Sequence, residues 1–131
     1  MIFPVHNISG RIVAFGGRIL GTNKNVGKYQ NSPESEIYSK KRELYGLYFA
    51  KKAIQQQDYA IMVEGYTDVI SMHQAGVENV VSSSGTSLTT DQIRLLNRFT
   101  KNITVIYDRD SAGIHASIRG IDMILAEGMN V

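Results

Sequence analysis

The stretch IMVEGYTDVI (61–70) decides how the rest of the chain is read. An apolar run ends in Glu64 and Gly65, and a helical pattern begins at once. YAIMVE (59–64) is therefore a strand, and YTDVISMHQA (66–75) a helix stopped by Gly76. Downstream the same unit recurs. VENVVSS (77–83) reads as the next strand. The helix over 90–99 opens with Thr89 and Gln92 at capping-box spacing, then aligns Ile93, Leu96 and Phe99. NITVIYD (102–108) is a third strand. The last helix places Ile114, Ile118, Ile121 and Leu125 on one face and stops at Gly128, and Met129–Val131 open a further strand. Strands alternating with helices give an α/β fold with a largely parallel sheet.

Upstream the pattern changes. MIFPVHNISGRIVAFGGRIL (1–20) reads as a β-hairpin turned at His6–Gly10, where Asn, Ser and Gly suit a turn. GTNKNVGKYQNSPES (21–35), rich in Gly, Asn and Ser, reads as a loop. Leu47, Ala50 and Ile54 then fall at helical spacing, and that helix ends near QQQD (55–58).

A chain of 131 residues with 43% apolar content holds one domain, or one domain and a small lobe. Without cysteine it has no disulfide, no thiolate nucleophile and no Cys-based zinc site. No apolar run approaches the ~20 residues of a membrane span, so the reading is of a soluble, cytoplasmic chain. Charge is divided unevenly. Residues 1–57 carry nine Lys/Arg against three Asp/Glu, and residues 58–131 carry five against nine. A basic half joined to an acidic half suits a polyanion on one side and cations held by carboxylates on the other.

The carboxylates sit where ligands bind. In open α/β sheets that place is outside the carboxyl ends of the strands. Glu64 ends one strand; Asp108 and Asp110 end another. Three carboxylates gathered there repel one another unless a cation lies between them, and Mg²⁺ takes oxygen ligands of this kind. Asp68, one helical turn beyond Glu64, is near enough to act as a further ligand or to support one. Taken singly, a Glu-Gly is usually a turn, and an Asp-x-Asp a loop or helix start favoured by the dipole. Their matched positions make the metal reading worth carrying. His6, His73 and His115 show no ligand spacing together and read as structural, as do Tyr45 and Tyr48.

EGYTD (64–68) and DRDSAG (108–113) in such a frame resemble the TOPRIM fold shared by primases, topoisomerases and some nucleases. GRIVAFGGRILG (10–21) and KYQNSPESEIYSKKRELYGLYFAKKAI (28–54) look like the RNA-polymerase core of a bacterial replicative primase. The resemblance covers nearly the whole chain. It implies a TOPRIM-type, Rossmann-like parallel sheet flanked by helices over 58–131, with a small basic N-terminal α+β subdomain over 1–57. It also implies synthesis of short RNA primers on a single-stranded DNA template from ribonucleoside triphosphates. Glu64, Asp108 and Asp110 would be catalytic and hold two or more Mg²⁺ or Mn²⁺ ions, with Asp68 a further motif acid. Arg11, Arg18, Lys28, Tyr29, Asn31 and Lys40 fall on positions associated with template, primer or nucleotide. Arg and Lys neutralise phosphates and Tyr29 offers a face to a base, which agrees with that assignment. Gly65 and Gly113 would let backbone pass close to phosphate, or serve simple turn geometry.

The chain departs from the pattern in three ways. Arg109 stands where the family usually has Gly between the paired aspartates. A later acidic motif lies beyond Val131, so the missing next strand would leave an open edge. The zinc-binding module and the helicase-contacting domain are absent, so zinc and the replicative helicase belong elsewhere in the parent. The chain thus reads as an excised piece with weak or no activity of its own. Other readings are another TOPRIM enzyme, a haloacid-dehalogenase-type phosphatase, or a nucleic-acid-binding module with a degenerate site. Against the first stands the KYQNSPE block. Against the second, the Asp-x-Asp follows the third strand rather than the first and is trailed by Ser111 and Ala112.

Overall fold

A run of four residues buried without alternation, Ala60, Ile61, Met62 and Val63, needs cover on both faces of its strand. The computed structural model supplies that cover, and it describes the whole chain except residues 23, 24, 26, 84 and 85. Along the chain the described residues form β1 (Ile2–His6), β2 (Ile12–Arg18), β3 (Tyr29–Asn31), α1 (Leu47–Gln57), β4 (Ala60–Val63), α2 (Tyr66–Gln74), β5 (Val80–Ser82), α3 (Thr90–Asn97), β6 (Ile103–Val105) and α4 (Ser111–Ala126). β4 is the middle of a parallel sheet ordered β5-β4-β6. Because successive side chains alternate across the sheet, Ala60 and Met62 join Leu47, Ile54, Ile93, Leu96 and Ile124 from α1, α3 and α4. Ile61 and Val63 face the other way, against Val69 of α2 and Val80. Each such aliphatic burial contributes about 1.5–3 kcal/mol. Among the described residues no helix is long and apolar enough to cross a membrane.

The α/β reading and the N-terminal hairpin agree with this architecture, but two expectations need correction. The segment read as a loop over 21–35 contains β3, which pairs antiparallel with β2 (Gly16 opposite Asn31, Arg18 opposite Tyr29) and completes a sheet ordered β1-β2-β3. Three short, mostly exposed residues carry no alternation signal, so Gly and Asn richness hid the strand. The part of the loop reading that falls on residues 23, 24 and 26 lies outside the described residues. The second correction concerns α4. Ile114, Ile118, Ile121 and Leu125 do share one face, but they are 36–55% exposed. The helix instead buries Gly113, Gly120 and Ile124. Two glycines present no bulk, so the close approach goes to the face that reads as weakest in hydrophobic periodicity.

The two lobes meet closely. α1 belongs by sequence to the basic half, yet Leu47, Ala50 and Ile54 sit in the core of the parallel sheet, so the division at residue 57 cuts through a shared core. Tyr45 forms an antiparallel bridge with Ser82, which covers the outer edge of β5. The Thr89–Gln92 capping box forms as expected. Gln92, fully buried, also donates to the carbonyls of Lys40 and Glu43 across the lobe boundary. On the far edge, Asn130 forms a parallel bridge with Asn102, the start of the further strand expected at Met129–Val131.

The corrected face of α4 has a measurable consequence. Ile124→Ala should cost about 2–5 kcal/mol in denaturant unfolding, as a core truncation does. Ile118→Ser should stay within about 0.5 kcal/mol of the parent chain. Equal losses would return the buried face to the isoleucine stripe.

Candidate functional site

Parallel strands end at the same edge, so the residues that follow β4 and β6 are brought together whatever their separation in sequence. Glu64 leaves β4 half-buried, and its Oε1 accepts the backbone N–H of Asp108 at 2.6 Å. The carboxylate therefore ties the two strand tips together. Asp68 lies in the first turn of α2, where its Oδ2 accepts the N–H of Gly65 at 3.2 Å. Asp110 caps α4, its Oδ1 accepting the N–H of Gly113 at 2.6 Å. Both placements suit a carboxylate at the positive end of a helix.

A cavity of ≈ 400 Å³ opens beside these tips. The α/β unit lines it with Glu64, Tyr66, Thr67, Asp68 and Asp108. The basic lobe lines the other wall with Arg18, Lys28, Tyr29 and Asn31. β2 and β3 place the last group: Arg18 and Tyr29 are cross-strand partners, and the guanidinium lies over the Tyr29 ring at 5.7 Å. Asn31 accepts a hydrogen bond from the Tyr66 hydroxyl at 2.6 Å. Burial, with charge repulsion from Tyr38 and Tyr45, pushes that phenol far above its ordinary pKa, so it stays protonated. Tyr107, behind Glu64, is pushed up to about 12, first by burial and then by the Glu64 charge.

Not every expected residue reaches this cavity. Arg11 precedes β2, at the opposite end of the strand from Arg18, and is exposed. Lys40 lies behind Tyr66 beside a small separate hollow. Asp110 is turned into its cap. Arg109 is exposed and lines a different depression with Ile114 and Ser117. Gly65 has an extended backbone and room for a Cβ, so turn geometry does not demand glycine there. Gly113 is different: a Cβ would stand 2.2 Å from the carbonyl oxygen of Asp108, so it is close approach to its own chain that requires glycine. The histidines are structural or peripheral: His6 packs edge-on to Phe49 at 4.9 Å, His73 borders an apolar hollow, and His115 is exposed. Tyr45 packs in the core, whereas Tyr48 is half-exposed with the Lys51 ammonium 4.9 Å from its ring.

The donor chemistry fits a divalent cation. All the acids offer oxygen, and among the described residues each carboxylate that binds a backbone amide has a second oxygen with no hydrogen bond. Among the described residues no three acidic or histidine groups already stand at ligand spacing, so a metal would be gathered by side-chain rotation at this shared edge.

Residues 61–131 match the family model described as Toprim-like, and residues 1–51 match that of the N-terminal domain of the DNA primase catalytic core. The DNA primase of Clostridium acetobutylicum is 47% identical over 131 residues, which is 100% of this chain and 22% of that protein. The structure of the Aquifex aeolicus primase zinc-binding and RNA polymerase domains superposes with a TM-score of 0.93 at 41% identity, covering 98% of this chain and 32% of that one. A DnaG primase catalytic domain bound to ssDNA superposes with a TM-score of 0.83 at 43% identity, covering 95% and 39%. The chain thus spans less than a quarter of that curated relative's length.

The tight fit of Gly113 under Asp108 sets an expected outcome. Gly113→Ala should destabilise the chain by about 1–3 kcal/mol, because backbone rather than a flexible side chain must move. Thermal unfolding measures it, and an unchanged Tm would mean the 108–113 loop shifts freely.

Proposed function

The chain belongs to the Toprim-like family, in the branch of bacterial DNA primases, and on that premise we propose that it carries nucleotide-binding and metal-holding residues of a primer-synthesising RNA polymerase. The observation that supports this most strongly is the joint cavity: four residues of the basic lobe face Glu64, Asp68 and Asp108 across one space. In this reading the 3′-hydroxyl of a primer paired to single-stranded DNA attacks the α-phosphate of a ribonucleoside triphosphate, and pyrophosphate leaves. Lys28 and Arg18 neutralise phosphate oxygens, and Arg18 and Tyr29, stacked together, flank the base or ribose. Holding both reactants in one cavity supplies positioning, a large part of catalysis in phosphoryl transfer.

Glu64 and Asp108 would hold Mg²⁺ or Mn²⁺, with Asp110 joining through the oxygen that does not cap α4 and Asp68 supporting from α2. Ions bound there lower the pKa of the attacking hydroxyl and offset charge on the transferring phosphate. Arg11 and Lys40, outside the cavity, are placed in this reading on template or primer phosphates. The ssDNA-bound primase domain among the similar structures supports a single-stranded template. In this reading zinc binding and contact with a replicative helicase are assigned to none of these residues, and the protein acts in the cytoplasm.

Asp108→Ala in the full-length primase should lower primer yield at least about 100-fold, since even residues behind the metal ligands are worth 10–100-fold. Affinity for single-stranded template should change little, which separates catalysis from binding. Normal primer yield would remove Asp108 from the mechanism. Lys28→Ala should weaken nucleic-acid or nucleotide binding in a salt-dependent manner. On a single strand the log–log salt slope should fall by about 0.7 for the lost phosphate contact. Titrations at several salt concentrations read it, and an unchanged slope would assign Lys28 to solvent.

A further inference from the structure

The residue that follows Glu64-Gly65 is held more firmly than any other in the cavity wall. Tyr66 is 3% exposed. Its ring stacks on Phe3 at 5.1 Å and meets Tyr45 edge-on at 4.6 Å. It fills the space left by Gly16, where a Cβ would lie 2.5 Å from a ring carbon. Tyr66 lines the cavity, and the hydroxyl's single hydrogen bond among the described residues goes to Oδ1 of Asn31. A buried phenol must place its proton on an acceptor, and Oδ1 is the acceptor in reach. That bond fixes the plane and the sense of the Asn31 carboxamide. Oδ1 is engaged by Tyr66, and Nδ2, with two N–H donors and no partner among the described residues, is the end left for a ligand in the cavity that Asn31 lines.

We infer that Tyr66 is a positioning residue that locks the Asn31 carboxamide with its Nδ2 donors presented to an oxygen acceptor of the bound nucleotide. A free asparagine presents acceptor and donor ends alternately. One anchored at Oδ1 presents donors only, and so favours a phosphate oxygen or a ribose hydroxyl. The inference deepens the proposed function and rests on its nucleotide-filled cavity.

The test measures Mn²⁺-ATP and Mn²⁺-dATP affinity by titration calorimetry on the parent protein and four variants. Absence of nucleotide binding by the parent protein would sink the nucleotide reading itself, and with it this inference. Given binding, Asn31→Asp keeps the acceptor for Tyr66 but replaces the Nδ2 donors with a charged oxygen, and should weaken ATP binding roughly 10- to 100-fold. Tyr66→Phe keeps the ring packing and frees the amide, and should weaken binding about 3- to 10-fold with a small change in Tm. Combined with Asn31→Ala it should add nothing to the loss from Asn31→Ala alone. Loss confined to ATP assigns the acceptor to the 2′-hydroxyl; equal loss for dATP assigns it to an oxygen common to both nucleotides. Unchanged affinity in Asn31→Asp, or fully additive losses in the double variant, would overturn the inference and leave Tyr66 with packing alone.

Discussion

The site depends on one geometric constraint: β4 and β6 run parallel and adjacent, so their ends coincide. Nothing else would bring residue 64 within a hydrogen bond of residue 108. The sheet is held there by burial from both faces. β4 is fully buried, with Met62 under α1, α3 and α4 and Ile61 and Val63 under α2, and a slip of one residue would exchange those two faces. The register is therefore fixed by the core. The Glu64 carboxylate then accepts the Asp108 amide, so the side chain at one strand tip also fastens the loop that carries the next acid.

The opposite wall comes from a separate antiparallel sheet, which packs on the α/β unit through the Tyr66 ring against Phe3, Val5 and Ala14, and polar contacts between residues far apart in sequence add to that packing. Gln92 joins α3 to the carbonyls of residues 40 and 43, and Tyr66 joins the start of α2 to β3. Across the cavity the cations and carboxylates remain apart. The ion pairs found among the described residues, Arg42–Asp91 and Arg94–Glu127, lie elsewhere. Arg18 and Lys28 are thus not neutralised by Glu64, Asp68 or Asp108. A charged ligand with its own cations would satisfy both walls at once, whereas a neutral ligand would satisfy neither.

Legibility from sequence followed the length scale of each interaction. Glu64 and the Thr89–Gln92 cap could be read because they are local, a strand end and a motif with fixed spacing, whereas the strand read over 102–108 stops at Val105, three residues short of Asp108. The hairpin was legible for the same reason. β3 was not, because its three residues are strand only by virtue of pairing with β2. The stripe on α4 misled for a different reason. Periodicity reports which residues share a face and not which face lies inward, and Gly113 and Gly120 took the inward face by lacking bulk. Tyr66 and Asn31 lie in different lobes, and only the fold shows that they meet. The tyrosine in EGYTD was visible as a helix start and nothing more.

Arg109 shows how far a departure from pattern can matter. Glycine between two aspartates suggests a backbone only glycine adopts, which would make arginine there a defect. Yet Asp58 is the one non-glycine residue among those described with a left-handed backbone, so Arg109 carries no strain of that kind. Its exposed side chain borders a depression with Asp108, Ile114 and Ser117, and Asp108 also lines the cavity. The tight constraint in this loop belongs instead to Gly113, packed against the Asp108 carbonyl. Backbone geometry at the acidic loop is thus set by what the helix start can accommodate. A cation at Arg109 adds positive potential beside Asp108, whose depression it shares.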